Sequence, residues 1–217
     1  MNIELFYAPG SCAFAVLAAL EQSSAEYSAI KLDFAAGDQR SREYLNINPL
    51  GRVPVLLAEG RIITEAIGTL TYVAARYRDA ALLSFDDPLA LASEYETLAW
   101  FSTSIHLHIA QIFRSERFGD DEDLRLMIKE NGLLQFRREL QELEHKCSIN
   151  RSYTAERFTL VNAFGLVIWR WAQRLECDVS LLPTWSAIIE KDFSRPAVMR
   201  AMQREAESER WIKLTAA

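Results

Sequence analysis

The chain has 217 residues, half of them apolar, which is enough for a sizeable core in one large domain or two smaller ones. Lysine and arginine number 24 against 30 aspartates and glutamates, a net charge of −6 without a basic block, which argues against nucleic acid as a partner. No apolar run approaches the ~20 residues of a membrane span. The N-terminus shows neither the basic region nor the apolar core of a secretion signal. Cysteines at 12, 147 and 177 give no metal spacing and no even disulfide set, so a reducing cytoplasm is the expected compartment and no metal site is expected.

Ile3 to Tyr7 reads as a strand that ends at Pro9-Gly10, followed by an apolar helix from Ala13 to about Gln22. Ser11 and Cys12 fall at or just before its first turn, where free N–H groups favour an anion. A thiol placed there is expected to have a lowered pKa and raised reactivity. The alternative is that Cys12 is a small buried residue capping the helix. Tyr27 to Leu32 alternates like a second strand, so strand, helix and strand form a βαβ unit with parallel strands. Asp33 to Glu43 is a polar loop or ragged helix, and Asn48 to Pro54 is a turn-rich connector. Val55 to Leu57 and Arg61 to Thr64 flank Ala58-Glu59-Gly60 as a hairpin. A helix then runs from Glu65 to Tyr77 with Ile67, Leu70, Val73 and Ala74 on one side.

Composition changes at Arg78 to Asp87. Asp87 followed by Pro88 is a strong helix start. From there the pattern is helical: Pro88 to about Arg117 as one long helix, Asp120 to Lys146, Thr159 to Glu176, Pro183 to Asp192, and Pro196 to about Arg204. The third of these is nearly all apolar at its centre and is expected to be the buried central helix. The expected organisation is a small α/β domain over 1–78, a linker near 79–87 and an all-α domain over 88–217.

The order β-α-β-α-β-β-α with Val53-Pro54 before the hairpin resembles the thioredoxin fold, in which that proline is cis. Such a half followed by an all-helical half resembles the cytosolic glutathione transferases. Tyr7-x-Pro-Gly-Ser-Cys12 resembles the bacterial, cysteine-containing beta class, and Asn48-Pro-x-Gly-x-Val-Pro54 followed by Thr64-Glu65 matches the family's glutathione motif. Leu98-x4-Thr103-x-Ile105-His106 fits the stretch that supplies the class's interdomain histidine. Phe158-Thr159-x-x-Asn162-Ala163 resembles its helix-capping box, and Arg195-Pro196-Ala197-Val198 its last helix start. The resemblance covers almost the whole chain. It implies a cytoplasmic, homodimeric detoxification enzyme that joins glutathione to a hydrophobic electrophile, or uses glutathione to cleave one, without a metal.

The resemblance also implies a site. Val53 pairs its backbone with the tripeptide, as in strand addition. Glu65 pairs with the γ-glutamyl ammonium, or merely complements the helix dipole, and the Ala66 amide meets the carboxylate. Cys12, then Ser11 or Tyr7, activates the thiol, and His106 faces it. Arg40 or Arg52 stands in for a family lysine absent from Asp33 to Arg40. Ala99 and Leu107 replace polar residues common in the class, which makes that side of the cleft more apolar. Ile109, Phe113 and Trp171, with Tyr7 opposite, are candidates for the apolar pocket; the alternative is that they are core. Two other readings fit the same residues: glutathione-dependent disulfide exchange through Cys12, and a transferase-like binding protein without chemistry.

Overall fold

The computed structural model describes residues 3–149, 153 and 156–207. Four strands form one mixed sheet in the order β2-β1-β3-β4. β1 (Ile3–Tyr7) runs parallel to β2 (Tyr27–Lys31), with Leu5 opposite Ala29, and antiparallel to β3 (Val55–Ala58), with Leu5 opposite Leu56. β4 (Arg61–Thr64) closes the hairpin, Val55 opposite Thr64. Its two-residue turn has Glu59 at φ 54° and Gly60 at φ 73°. Positive φ at both positions matches the right-handed twist of the flanking strands.

α1 (Ala13–Gln22) carries apolar residues all round, and Ala13 to Glu21 are all buried. It packs against α3 (Ala66–Arg76) on one side and, on the other, against α7 (Leu160–Arg174) and α9 (Pro196–Glu207). A helix covered on several faces needs no polar stripe, which explains the uninterrupted run Ala13 to Leu20. Between β2 and β3, Asp38–Arg40 form a 3-10 turn and α2 spans Arg42–Ile47, with the Ser41 hydroxyl accepting from the Tyr44 amide.

The helical half departs from the sequence reading at one point. The expected single helix from Pro88 to about Arg117 is broken into α4 (Pro88–Trp100), a π-helical turn (Phe101–Ile105) and α5 (His106–Phe113), with a 3-10 turn at Ser115–Arg117. Ser102, Thr103 and Ser104 fill the break, and the Thr103 hydroxyl donates to the Ala99 carbonyl at 2.9 Å. Such back-bonding loosens the helical ladder, and π turns often sit at functional sites. α6 (Glu122–Ile149) and α8 (Pro183–Phe193) complete the bundle. α7 is the buried central helix. The Thr159 and Asn162 side chains cap its start reciprocally, and Asn162 Nδ2 donates to Asp192 at 2.8 Å. Gly165 allows a close approach: a Cβ there would lie 1.7 Å from the Tyr153 hydroxyl. No helix among the described residues is long and apolar enough to cross a membrane.

Candidate functional site

A cleft of about 1740 Å³ opens between the sheet edge of the first half and the helices of the second. From the α/β side it is lined by Ser11, Cys12, Arg52, Val53, Pro54, Glu65 and Ala66, and from the helical side by His106, Ile109, Phe113 and Trp171. Residues from five separate stretches thus meet in one place.

The turn before α1 is held from outside. Gly10, at φ 74°, donates its N–H to Glu205 Oε1 at 3.0 Å, and its carbonyl accepts from Trp171 Nε1 at 3.0 Å. Glu205 is itself gripped by both guanidinium nitrogens of Arg170, at 2.6 and 3.3 Å. Ser11 lines the cleft, but its hydroxyl donates to the Ala8 carbonyl at 2.6 Å and accepts from the Ala13 amide. Its one proton is therefore committed.

Cys12 is the N-cap of α1, and no hydrogen bond of its amide to another described residue is formed. Its thiol donates to the Val53 carbonyl at 3.6 Å. The expectation of a lowered pKa is overturned. Burial pushes the thiol up to about 12, a backbone hydrogen bond opposes this, and the Glu65 carboxylate adds to it. Desolvation of a fully covered sulfur outweighs the partial charge of one helix end.

The connector before β3 is set by Asn48, the first residue of the motif, and by Tyr44, which the sequence reading passed over. The Arg52 carbonyl accepts from the Tyr44 hydroxyl at 2.7 Å and from Asn48 Nδ2 at 2.8 Å. Gly51 turns at φ 61°, and a Cβ there would lie 2.7 Å from the Gln39 carbonyl. Val53-Pro54 is cis. Glu65 precedes α3 at φ 64°, an unusual conformation for a residue with a side chain, and its exposed carboxylate is in no ion pair among the described residues. Strain of this kind collects at functional sites. Ala66 opens α3 behind it.

His106 begins α5 immediately after the π turn and stacks on Trp171, ring centroids 5.1 Å apart. Burial lowers its pKa to about 4, with further lowering from Arg117 and Arg52, so the imidazole is neutral near pH 7. Ser102 and Thr103 also face the cleft, whereas His108 lies beside Glu139, 3.6 Å away. Tyr7 is not a wall of the pocket. It is fully buried, and its hydroxyl donates to the Glu205 carbonyl of α9 at 2.9 Å, because its place at the end of β1 turns the ring into the core under the last helix. Cys147 and Cys177 lie outside the cleft. Among the described residues no cluster of His, Cys, Asp and Glu is placed to hold a metal ion. Arg114, Arg117 and Arg174, which sequence reading missed, line the cleft with Arg40 and Arg52.

A mixed sheet with a cis-proline beside a cysteine-bearing helix start, joined to a helical bundle that closes the cleft, defines the architecture of a glutathione transferase. Residues 1–75 match the glutathione S-transferase N-terminal domain. Over 208 residues the chain is 26% identical to glutathione S-transferase GstA of Escherichia coli O157:H7, spanning 94% of this chain and 98% of that one. The structure superposes on a glutathione transferase homologue from Sulfitobacter, solved with bound glutathione, with a TM-score of 0.89, 25% identity and coverage of 94% and 98%. A beta-class enzyme from Sphingomonas chungbukensis gives 0.80, 26%, 93% and 98%. The chain is thus similar over nearly its whole length to glutathione S-transferases, and its first 75 residues match their N-terminal domain.

Proposed function

We propose that the protein is a glutathione transferase that joins glutathione to an electrophilic small molecule, or uses it to cleave one. One observation carries the reading: a Val53 backbone whose amide has no hydrogen-bond partner among the described residues, the Glu65 carboxylate, the start of α3 and the Cys12–His106 pair all face a single cleft. That set suits an extended tripeptide with an ammonium, carboxylates and a thiol.

In this reading Val53 pairs with the peptide backbone, Glu65 takes the γ-glutamyl ammonium, and the opening amides of α3, Ala66 first, take the neighbouring carboxylate. Arg52 takes the other carboxylate. The thiol lies between Cys12 and His106. To react it must lose its proton. The positive field of Arg117 and Arg52, which adds to the burial that keeps His106 neutral, favours an anionic sulfur in the same space. The Cys12 amide and an N–H of neutral His106 are the donors for that sulfur, since the Cys12 S–H is given to the Val53 carbonyl. Ser11 supports the turn instead of giving its proton. The thiolate then forms the new S–C bond, the leaving group departs with its electron pair, and the proton goes to solvent. Ile109, Phe113 and Trp171 form the apolar wall for the electrophile. Disulfide exchange through Cys12 is less favoured, because it needs the thiolate that burial suppresses.

We further assign 1–78 as the glutathione-binding domain and 88–217 as the helical domain, since α3 ends at Arg76 and α4 is capped by Asp87. A cytoplasmic, homodimeric detoxification enzyme is the corresponding cellular reading, and a monomer by light scattering at micromolar protein would contradict the dimer. The functional reading is tested at Glu65. Glu65→Gln keeps the shape and removes the charge, and calorimetric titration should show glutathione binding weakened by roughly 1–3 kcal/mol, the range of a charge-assisted hydrogen bond. Unchanged affinity in the folded variant would return Glu65 to a dipole role.

A further inference from the structure

The cleft is cationic in a chain that is acidic. Six basic side chains (Lys31, Arg40, Arg52, Arg114, Arg117 and Arg174) line it against four acidic ones, Asp33, Glu65, Glu116 and Glu207, whereas the whole chain carries 24 basic and 30 acidic residues. None of the five arginines is in an ion pair among the described residues. Outside the cleft, by contrast, Arg170, Arg195, Arg200 and Arg204 are each matched to a carboxylate. Arg40 and Arg52 come from the α/β side. Arg114 ends α5, and Arg117 sits in the 3-10 turn that follows. Arg117 feels Arg52, Arg114 and Arg40 together, with Glu116 as the opposing carboxylate. The Arg114 guanidinium lies over the Phe34 ring at 5.4 Å and that of Arg174 over Phe113 at 4.8 Å. Stacking of this kind orients a guanidinium while leaving its N–H fork free.

Like charges gathered in a cleft repel one another, and the arrangement becomes favourable when an anion enters. Glutathione accounts for part of it: Arg52 and the start of α3 suffice for its two carboxylates. The arginines of the helical wall remain, next to the apolar surface of Ile109 and Phe113. Resting on the transferase reading, we propose that the second substrate is itself an acid: an electrophile whose apolar body lies on Ile109 and Phe113 and whose carboxylate is held by Arg114 and Arg117. This replaces the expectation of a purely apolar partner. Leu107 does make its own turn apolar, but the turn beyond α5 restores charge.

The test uses an unreactive pair of equal shape, para-nitrobenzoate and para-nitrobenzamide, titrated into the full chain saturated with glutathione. The benzoate should bind at least about tenfold more tightly than the amide, the scale of one charge-assisted contact. In Arg114→Gln/Arg117→Gln, checked for native circular dichroism, the two probes should bind alike. Arg117→Lys keeps the charge and should keep most of the difference. Equal binding of the probes by the wild type would overturn the proposal, as would a preference that survives the double glutamine variant. Displacement of the benzoate by glutathione would also overturn it, by placing these arginines in glutathione's own carboxylate sites. Absence of glutathione binding in the same calorimeter would instead overturn the transferase reading, and the co-substrate role with it.

Discussion

Cys12 sits where two effects act on one sulfur in opposite directions. The start of α1 offers amide dipoles that favour a thiolate, and the packed surroundings remove the water a thiolate needs. Burial wins, taking the thiol from 9.0 to about 12. For stability the sign follows from the raised value: burying the neutral thiol contributes fully below pH 9 and the contribution is lost as pH climbs towards 12. For reactivity, Cys12 should be alkylated by iodoacetamide more slowly than half-buried Cys177 near neutral pH, with its rate still rising above pH 9. Mass spectrometry of the labelled peptides reads this, and modification of Cys12 first would contradict it. The Pro9-Gly10-Ser11-Cys12 motif was legible in sequence because strand, turn and helix are local signals. The protonation state was not, because the groups that cover and charge the sulfur, Val53 and Glu65, lie 41 residues or more away. Tyr7 misled for the same reason: alternation along β1 does not reveal that α9 lies over its ring.

The last helix is the element that ties the second half to the reacting turn. α9 brings Glu205 to the Gly10 amide and to Arg170, while Arg200 and Arg204 close on Glu21, whose carboxylate also accepts from the Tyr27 hydroxyl. Removing the Glu205 carboxylate leaves Arg170 without its partner and Gly10 N–H unsatisfied. Because Arg170 keeps some solvent access, Glu205→Ala should destabilise the fold by about 2–3 kcal/mol in urea unfolding, less than a fully buried pair would lose. Arg170→Ala should cost a similar amount, and the double variant much less than the sum. Full additivity would mean that the two side chains act independently. Helix starts were legible at Asp87-Pro88, Thr159 and Pro196, where capping chemistry is local. The π turn before His106 was not. Its buried positions Leu98, Phe101, Ile105 and Ile109 keep a helix-like spacing, so the period alone hides the extra residue.

At the scale of the molecule, the cleft exists only because the two halves meet. The α/β order and the helical run were readable from periodicity and turn residues, and with the motif spacing they pointed to the architecture. The arginines were not readable as a group, since positions 40, 52, 114, 117 and 174 share neither a motif nor an element. The same field joins the parts of the account: it adds to the burial that keeps His106 neutral, and in the proposed mechanism it favours a sulfur anion between His106 and Cys12. With its pKa lowered from 6.5 to about 4, His106 supports the fold fully above pH 6.5 and loses that contribution as pH falls towards 4, so ionisation of the bound thiol is read above that window. The direct measurement is a pH titration of glutathione bound to the wild-type protein, followed by thiolate absorbance in the ultraviolet, with Cys12→Ala run alongside to remove its own sulfur. The account predicts that bound glutathione ionises at least about one unit below the ~8.5 of a free thiol, in both proteins. Glutathione that binds and still titrates like the free tripeptide, or that does not bind at all, would contradict it.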